Sequence, residues 1–240
     1  MRKLLILLTV PLLLFTSCRE IFGKRINGDG KVTTDTRSLG SFSGVDVSGA
    51  IELYVKQDAT QSVTIEADAN LLQYIDTYTE GDKLIVKTKN GFNLNPSRDI
   101  KVSVSAPLFK KIGVSGACHV FTVNQLVSTE AFSLDLSGAS NARMDIKAPS
   151  IDTELSGACG IEIKGETKDL SAEGSGSVNF NCFDLLAENV KVSISGAGDA
   201  EVYASQKLNV EVSGAAGVKY KGNPSLSQNL SGAGTVKKVD

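Results

Sequence analysis

Apolar and polar residues alternate with a period of two over many short runs, and these runs are punctuated by a recurring Ser-Gly-Ala triplet. The triplet begins at Ser48, Ser115, Ser137, Ser156, Ser195, Ser213 and Ser231, with a Ser-Gly-Ser variant at Ser175. Successive spacings are 67, 22, 19, 19, 20, 18 and 18 residues, so the repeat unit is about twenty residues and the first gap is close to three units. One residue before each serine stand Val47, Val114, Leu136, Leu155, Gly174, Ile194, Val212 and Leu230; three before stand Val45, Ile112, Leu134, Thr153, Ala172, Val192, Val210 and Gln228. The residues between them are mostly polar, which is the pattern of a half-buried strand. A second alternating run follows, with Leu53, Val120, Ala142, Ile161, Phe180, Ala200, Val218 and Val236 five residues after the serine.

One such strand cannot bury its apolar side alone, but identical coils stacked at a strand spacing of ~4.8 Å bury a continuous aliphatic column and pair every backbone group. The pattern predicts an all-β fold, a right-handed parallel β-helix. A left-handed hexapeptide helix would repeat its apolar residues every six positions, which these do not; an antiparallel β-sandwich is the alternative. Gly in the triplet gives the backbone freedom a sharp corner needs. Between Ser48 and Ser115 the triplet is absent. Ser62–Ala67, Lys83–Lys89 and Ile100–Ala106 read as strands, Asn70–Ile75 as one helical turn and Glu80-Gly81-Asp82 as a hairpin turn. Asn90–Asp99 reads as a protruding loop. The domain plan is a modified, sandwich-like start over 40–110, which also caps the solenoid, and regular coils over 111–240.

The N-terminus has a different character. Met1-Arg2-Lys3 precedes a largely apolar run from Leu4 to Phe15, the layout of a secretory signal peptide over 1–17 and too short to span a bilayer. Phe15-Thr16-Ser17-Cys18 resembles a bacterial lipobox of the relaxed Bacteroidota type, which implies acylation of Cys18 and a membrane partner reached through that anchor. Arg19 follows the cysteine where Asp would favour inner-membrane retention, so the expected address is the outer membrane, on its surface or periplasmic side. Residues 18–39 read as the lipidated Cys and a tether merging into a first strand.

Charge and composition narrow the function. Lys and Arg number 25 against 27 Asp and Glu, a formal charge of -2 spread along the chain, which removes nucleic acid as a partner. A single His, no Trp and no Cys-x-x-Cys leave little for His-based catalysis, zinc or cofactor binding, so no catalytic residue, metal or cofactor is expected. Gly23 and Gly28 have the spacing of a phosphate loop, but Asp29 stands where Lys must be. Cys118 and Cys159 fall at the same place two coils apart, roughly 9.5 Å, too far for a disulfide; with Cys182 they read as small buried residues. His119 falls on the outer side of its strand. Two candidate binding features remain: an outward row of Asp135, Glu154, Glu173 and Glu211, interrupted by Ser193, and the loop bearing Asn90, Phe92, Asn93, Asn95 and Arg98.

Together, the repeated Ser-Gly-Ala coils, the run Arg37-Ser38-Leu39-Gly40-Ser41-Phe42-Ser43-Gly44-Val45-Asp46-Val47-Ser48-Gly49-Ala50, the stretch Ser62–Leu72 and the lipobox resemble the family of Bacteroidota lipoproteins called putative auto-transporter adhesin, head GIN domain. The resemblance spans about Asn27 to Asp240. It implies a right-handed β-helical domain exported to the envelope and carries no catalytic motif. Three function classes are therefore weighed: an adhesive lipoprotein binding a glycan or protein, a structural or accessory envelope scaffold, and a polysaccharide lyase or hydrolase using the acidic row.

Overall fold

The alternating runs become strands, and the described residues, 23–240 of the computed structural model, form an all-β fold whose only helical element is the single 3-10 turn Leu72–Tyr74. In the coil that carries Ser48, β3 (Gly44–Gly49) precedes the corner and β4 (Ile51–Gln57) follows it. The next coil supplies β10 (Lys111–Gly116), β11 (His119–Thr122) and the short β12 (Leu126–Val127). Then come β13 (Phe132–Gly138), the continuous β14 (Asn141–Lys221) that runs through four corners, β15 (Ser225–Gly232) and β16 (Thr235–Lys238).

Register follows the triplets. β10 pairs in parallel with β3 on one side and β13 on the other, placing Ser48, Ser115 and Ser137 side by side. β13 continues the row to Ser156, and β14 aligns Ser213 with Ser231 in β15. The second strands keep the same order: Val120 lies between Leu53 and Ala142. Inside the stack the predicted apolar positions close into one core, with Val47, Leu134, Leu53, Ile163 and Phe180 at or near zero exposure. Thr153, a polar residue in an apolar row, donates its hydroxyl to the Ser171 carbonyl at 3.1 Å and so leaves no buried donor unmade.

Each corner depends on its glycine. Gly138 has φ +83, and a Cβ there would lie 2.4 Å from the Gly116 carbonyl oxygen of the preceding coil. The same 2.4 Å recurs for Gly116 over Gly49 and for Gly157 over Gly138. Backbone therefore stacks on backbone with no room for a side chain, and the neighbouring amide is drawn in: Ala139 N–H donates to Gly116 O at 2.7 Å.

The 67-residue gap does not hold three further coils, because Ser115 lies directly beside Ser48. The intervening chain leaves the stack and extends it past its first coil. β7 (Lys83–Thr88) pairs in parallel with β3, and β6 (Ile75–Glu80) folds back antiparallel on β7 through the turn at Gly81. On the other side β9 (Ile100–Ala106) is parallel to β4, followed outward by the antiparallel β5 (Ser62–Asp68) and β2 (Val32–Arg37). Asn90–Asp99, expected as a protruding loop, instead contains β8 (Phe92–Asn95), paired in parallel with β1 (Lys24–Asn27). The latch for this region is Asp68, 1% exposed, whose carboxylate accepts from Gly30 N–H at 2.8 Å, Ser97 N–H at 2.8 Å and the Ser97 hydroxyl at 2.6 Å. These bonds hold its carboxyl below the usual carboxylate range. The signal segment and Cys18 lie outside the described residues.

Candidate binding faces

Outward residues of the strands before the corners form three rows. The acidic row is real in space: Asp135 lies in register with Glu154, flanked on the other side by Gly113 and Asp46, and Glu211 lies beside Asn229. Neighbouring carboxylates one strand apart repel by about 1 kcal/mol even in a water-like dielectric. Lysines from the adjacent row answer part of that. Lys111 pairs with Asp135, and Lys191 reaches Glu173 at 2.9 Å. The Lys191 ammonium holds the Glu173 carboxyl below its ordinary value, and Asp135, then Glu154 and Asp46, raise Lys111 against the opposing effect of its partial burial. Asp46 and Glu154 are left without an ion pair among the described residues.

The rows enclose a shallow trough of about 730 Å³. Its relief comes from Gly113, which has no side chain in the acidic row, and from Ser193, which interrupts it. Ser115, Ser137, Ser156 and Ser175 line one wall, Asp135, Glu154 and Glu173 the floor, and Lys83 and Lys111 one end. Hydroxyls beside carboxylates offer acceptors throughout and donors on one side. Glu211 belongs to the same row but lies beyond the trough.

The candidate loop residues are placed elsewhere, next to β1. Phe92 packs on Tyr74, with ring centroids 4.6 Å apart, and Asn95 donates its amide to the Asn27 side chain at 3.0 Å. Asn90, Asn93 and Arg98 are exposed. The acidic row and this segment therefore do not form one site.

Cys118, Cys159 and Cys182 are free and buried. Cys118 donates to the carbonyls of Gly49 and Ser115 at 3.4 and 3.5 Å, and Ser140 fills the equivalent place one coil on, bonding the Gly116 and Ser137 carbonyls at 3.3 and 3.0 Å. Burial pushes the Cys182 thiol up to about 12 and raises Cys118 as well. His119 is exposed while its neighbour Cys118 points inward, so the two do not form a nucleophile–base pair. Among the described residues no cluster of His, Cys, Asp or Glu is placed to hold a metal, and no helix is long and apolar enough to cross a membrane.

A second face escaped the sequence reading. Six residues after the triplet serine, Tyr54, Phe121, Arg143 and Glu162 occupy neighbouring coils: the two rings stack at 5.3 Å, and Arg143 pairs with Glu162 at 2.9 Å. The signal was available in that outward row, whose aromatics stand among residues that elsewhere are mostly polar.

The fold of this chain has counterparts among known proteins. The sequence profile of the putative auto-transporter adhesin, head GIN domain family matches residues 41–224. The chain belongs to this family. No curated protein matches the sequence. Among solved structures, a putative adhesin from Bacteroides fragilis superposes with a TM-score of 0.83 at 20% identity, covering 89% of this chain and 100% of its own. A putative adhesin from Parabacteroides distasonis gives 0.71 at 24% identity, with coverages of 90% and 100%. A protein from the same species called a putative lipid binding protein gives 0.76 at 21% identity, again with coverages of 90% and 100%. At these identities the likeness shows a shared fold.

Proposed function

We propose that the chain is an exported, outer-membrane lipoprotein anchored through Cys18 that presents a rigid right-handed β-helix for adhesion and binds a protein or glycan through the serine–carboxylate trough, without catalysis. The observation that carries this reading is the in-register trough itself. Parallel pairing fixes Ser137, Ser156, Asp135 and Glu154 on a sheet whose backbone groups are already committed to neighbouring coils, so the face is preorganised and loses little side-chain and loop freedom on binding. Glu154, with no cation of its own, offers the centre of the face to a donor-rich ligand. Family membership supports an adhesive role and an exported address.

The test is binding of purified protein to fixed bacterial and host surfaces. Glu154→Lys with Glu173→Lys abolishes binding if the trough is the contact; undiminished binding by the double variant refutes that assignment. Protease shaving of intact cells, with Cys18→Ala as the anchoring control, reads orientation: degradation while a periplasmic marker survives places the protein outward, and protection of the protein refutes a surface role.

A scaffold role has its own supporting observation. β15 reads Ser-Leu-Ser-Gln-Asn-Leu-Ser-Gly, carries no charge, leaves Leu226 40% exposed and has no strand on its outer side among the described residues. Charged residues normally guard such an edge, and their absence suits pairing with a partner strand. Stable co-purification of another envelope protein, lost on Leu226→Lys, is the outcome this reading requires.

A further inference from the structure

Gly23 lies only five residues beyond Cys18, and a chain of that length reaches at most about 18 Å. The place of Gly23 therefore decides which part of the molecule an anchor at Cys18 holds against the membrane. A Cβ at Gly23 would lie 2.6 Å from the Gly91 carbonyl carbon, and the chain then runs along β8 as β1, with Arg25 beside Asn93 and Asn27 beside Asn95. Gly28 N–H donates to the Asn95 carbonyl at 2.9 Å, and Asp68 ties Gly30 to Ser97 just beyond. β8 follows β7, the strand before the Ser48 coil, so the tether joins the stack at its first end. From β7 the strands run through β3, β10, β13 and the four passes of β14 to β15, about 38 Å at the usual separation. A tether shorter than the stack leaves two ways to meet the membrane: standing on the first end, or lying along a side.

Charge chooses between them. The two segments that meet at the first end, 23–31 and 89–99, carry Lys24, Arg25, Lys31, Lys89 and Arg98 against Asp29 and Asp99, and all these cations are exposed. Only Lys89 among them has an ion pair within the described residues, with Asp76 at 3.9 Å. Over the rest of the described chain acidic residues outnumber basic ones, and the trough with Asp135, Glu154 and Glu173 opens to the side of the stack. The potential of phosphate headgroups acts within a Debye length, roughly 8 Å at physiological salt, so the end that is held close decides which charges feel it. Laid on the trough side, the molecule would bring carboxylates against phosphates. Standing on its first end, it brings guanidinium and ammonium groups.

We propose that the end formed by β1, β8 and the Asp68 latch is a docking surface for the anionic phosphates of the anchoring membrane, and that the stack stands on it with β15 held farthest out. This rests on the acylation of Cys18 proposed above. Arg25 and Arg98 make the principal contacts, since a planar guanidinium bonds two phosphate oxygens at once. The trough and the β15 edge are then left to partners away from the lipid surface.

The experiment uses the acylated protein, purified from membranes and inserted from detergent into preformed vesicles of phosphatidylethanolamine and phosphatidylglycerol that carry a spin label on the headgroup. Acylation blocks Cys18 and burial shields Cys118, Cys159 and Cys182, so a maleimide fluorophore enters only at Asn93→Cys or, in a second protein, at Ser227→Cys, both exposed positions. The expected result is strong quenching at 93 and none at 227. Quenching at 93 falls roughly twofold or more with Arg25→Glu and Arg98→Glu together, at high salt, and in phosphatidylcholine vesicles. Equal quenching at the two positions shows the stack lying on its side and overturns the proposal, as does an unquenched 93 or quenching there that ignores salt and lipid charge. The salt and lipid comparisons keep it falsifiable if the charge-reversed protein fails to fold. The mass of the same sample separates the two readings: an unacylated Cys18 refutes the anchor and the docking surface with it, whereas an acylated chain with an unquenched 93 refutes the docking surface alone.

Discussion

Gly138→Ala puts the corner geometry to a quantitative test. At φ +83 an alanine is strained by about 1–2 kcal/mol. Its methyl would also lie 2.4 Å from the Gly116 oxygen, about an ångström inside ordinary contact. Relief requires the two coils to part, and the Gly116 carbonyl accepts from Ala139 N–H at 2.7 Å and from the Ser140 hydroxyl at 3.3 Å. Weakening both bonds adds about 1 kcal/mol each, so the total loss is about 3–4 kcal/mol. Gly81→Ala is the control. Its φ is +61 but nothing lies within 4 Å of the place a methyl would take, so it costs only the backbone strain of about 1–2 kcal/mol. Urea denaturation gives the totals, and hydrogen exchange at Ala139 reports whether the coils part locally, as stacked repeats can. Equal destabilisation by the two variants, or unchanged exchange at Ala139, would refute the argument that backbone stacking excludes a side chain here.

Phe180→Ala, in the middle of the core at zero exposure, loses about 3–5 kcal/mol in the same denaturation assay. Native protein leaves Cys118, Cys159 and Cys182 unlabelled by a maleimide at neutral pH, and urea exposes all three, as read by peptide mass spectrometry; Cys118→Ser changes stability by less than about 1 kcal/mol because a serine, Ser140, already makes the corresponding bonds at the equivalent place one coil on. Asp68 has a depressed folded-state pKa, so its contribution is present above the ordinary carboxylate range and is lost as pH falls through the lower folded value. Acid titration followed by hydrogen exchange at Gly30 and Ser97 should show this region opening, and Asp68→Asn should remove that pH dependence.

The repeat was legible because each outward or inward position is dictated by one short-range rule, the alternation of a strand, anchored by a glycine that only a corner demands. Val47, Leu134 and Ile163 are buried for that reason, and Asp135 and Glu154 share a row for the same reason. The stretch from Asp58 to Lys110 obeyed no such period. Whether β7 joins β3, or another coil intervenes, depends on long-range pairing that alternation does not encode, so counting residues misplaced Ser115 relative to Ser48. Asn90–Asp99 looked like a loop from its Gly, Asn and Pro, yet Asp68 and the backbone of β1 supply partners from distant sequence. The acidic row was found by its charge, but its lysines were not. Lys191 stands one outward position off the row and on the next coil from Glu173, a relation visible only once the coils are set side by side.

Variation in repeat length is unevenly distributed around the coil. Triplets spaced by 22, 19, 19, 20, 18 and 18 residues after Ser115 still stack in register, and the segments from three residues before each triplet to seven after it keep a constant length. The slack falls on the remaining side, in the coil after Ser115 most of all between Phe121 and Leu126, which span two residues more than Arg143 and Ile146 beside them. That side is where the scaffold accepts foreign sequence: an epitope or reporter peptide spliced there changes the girth of one coil while the trough keeps its spacing.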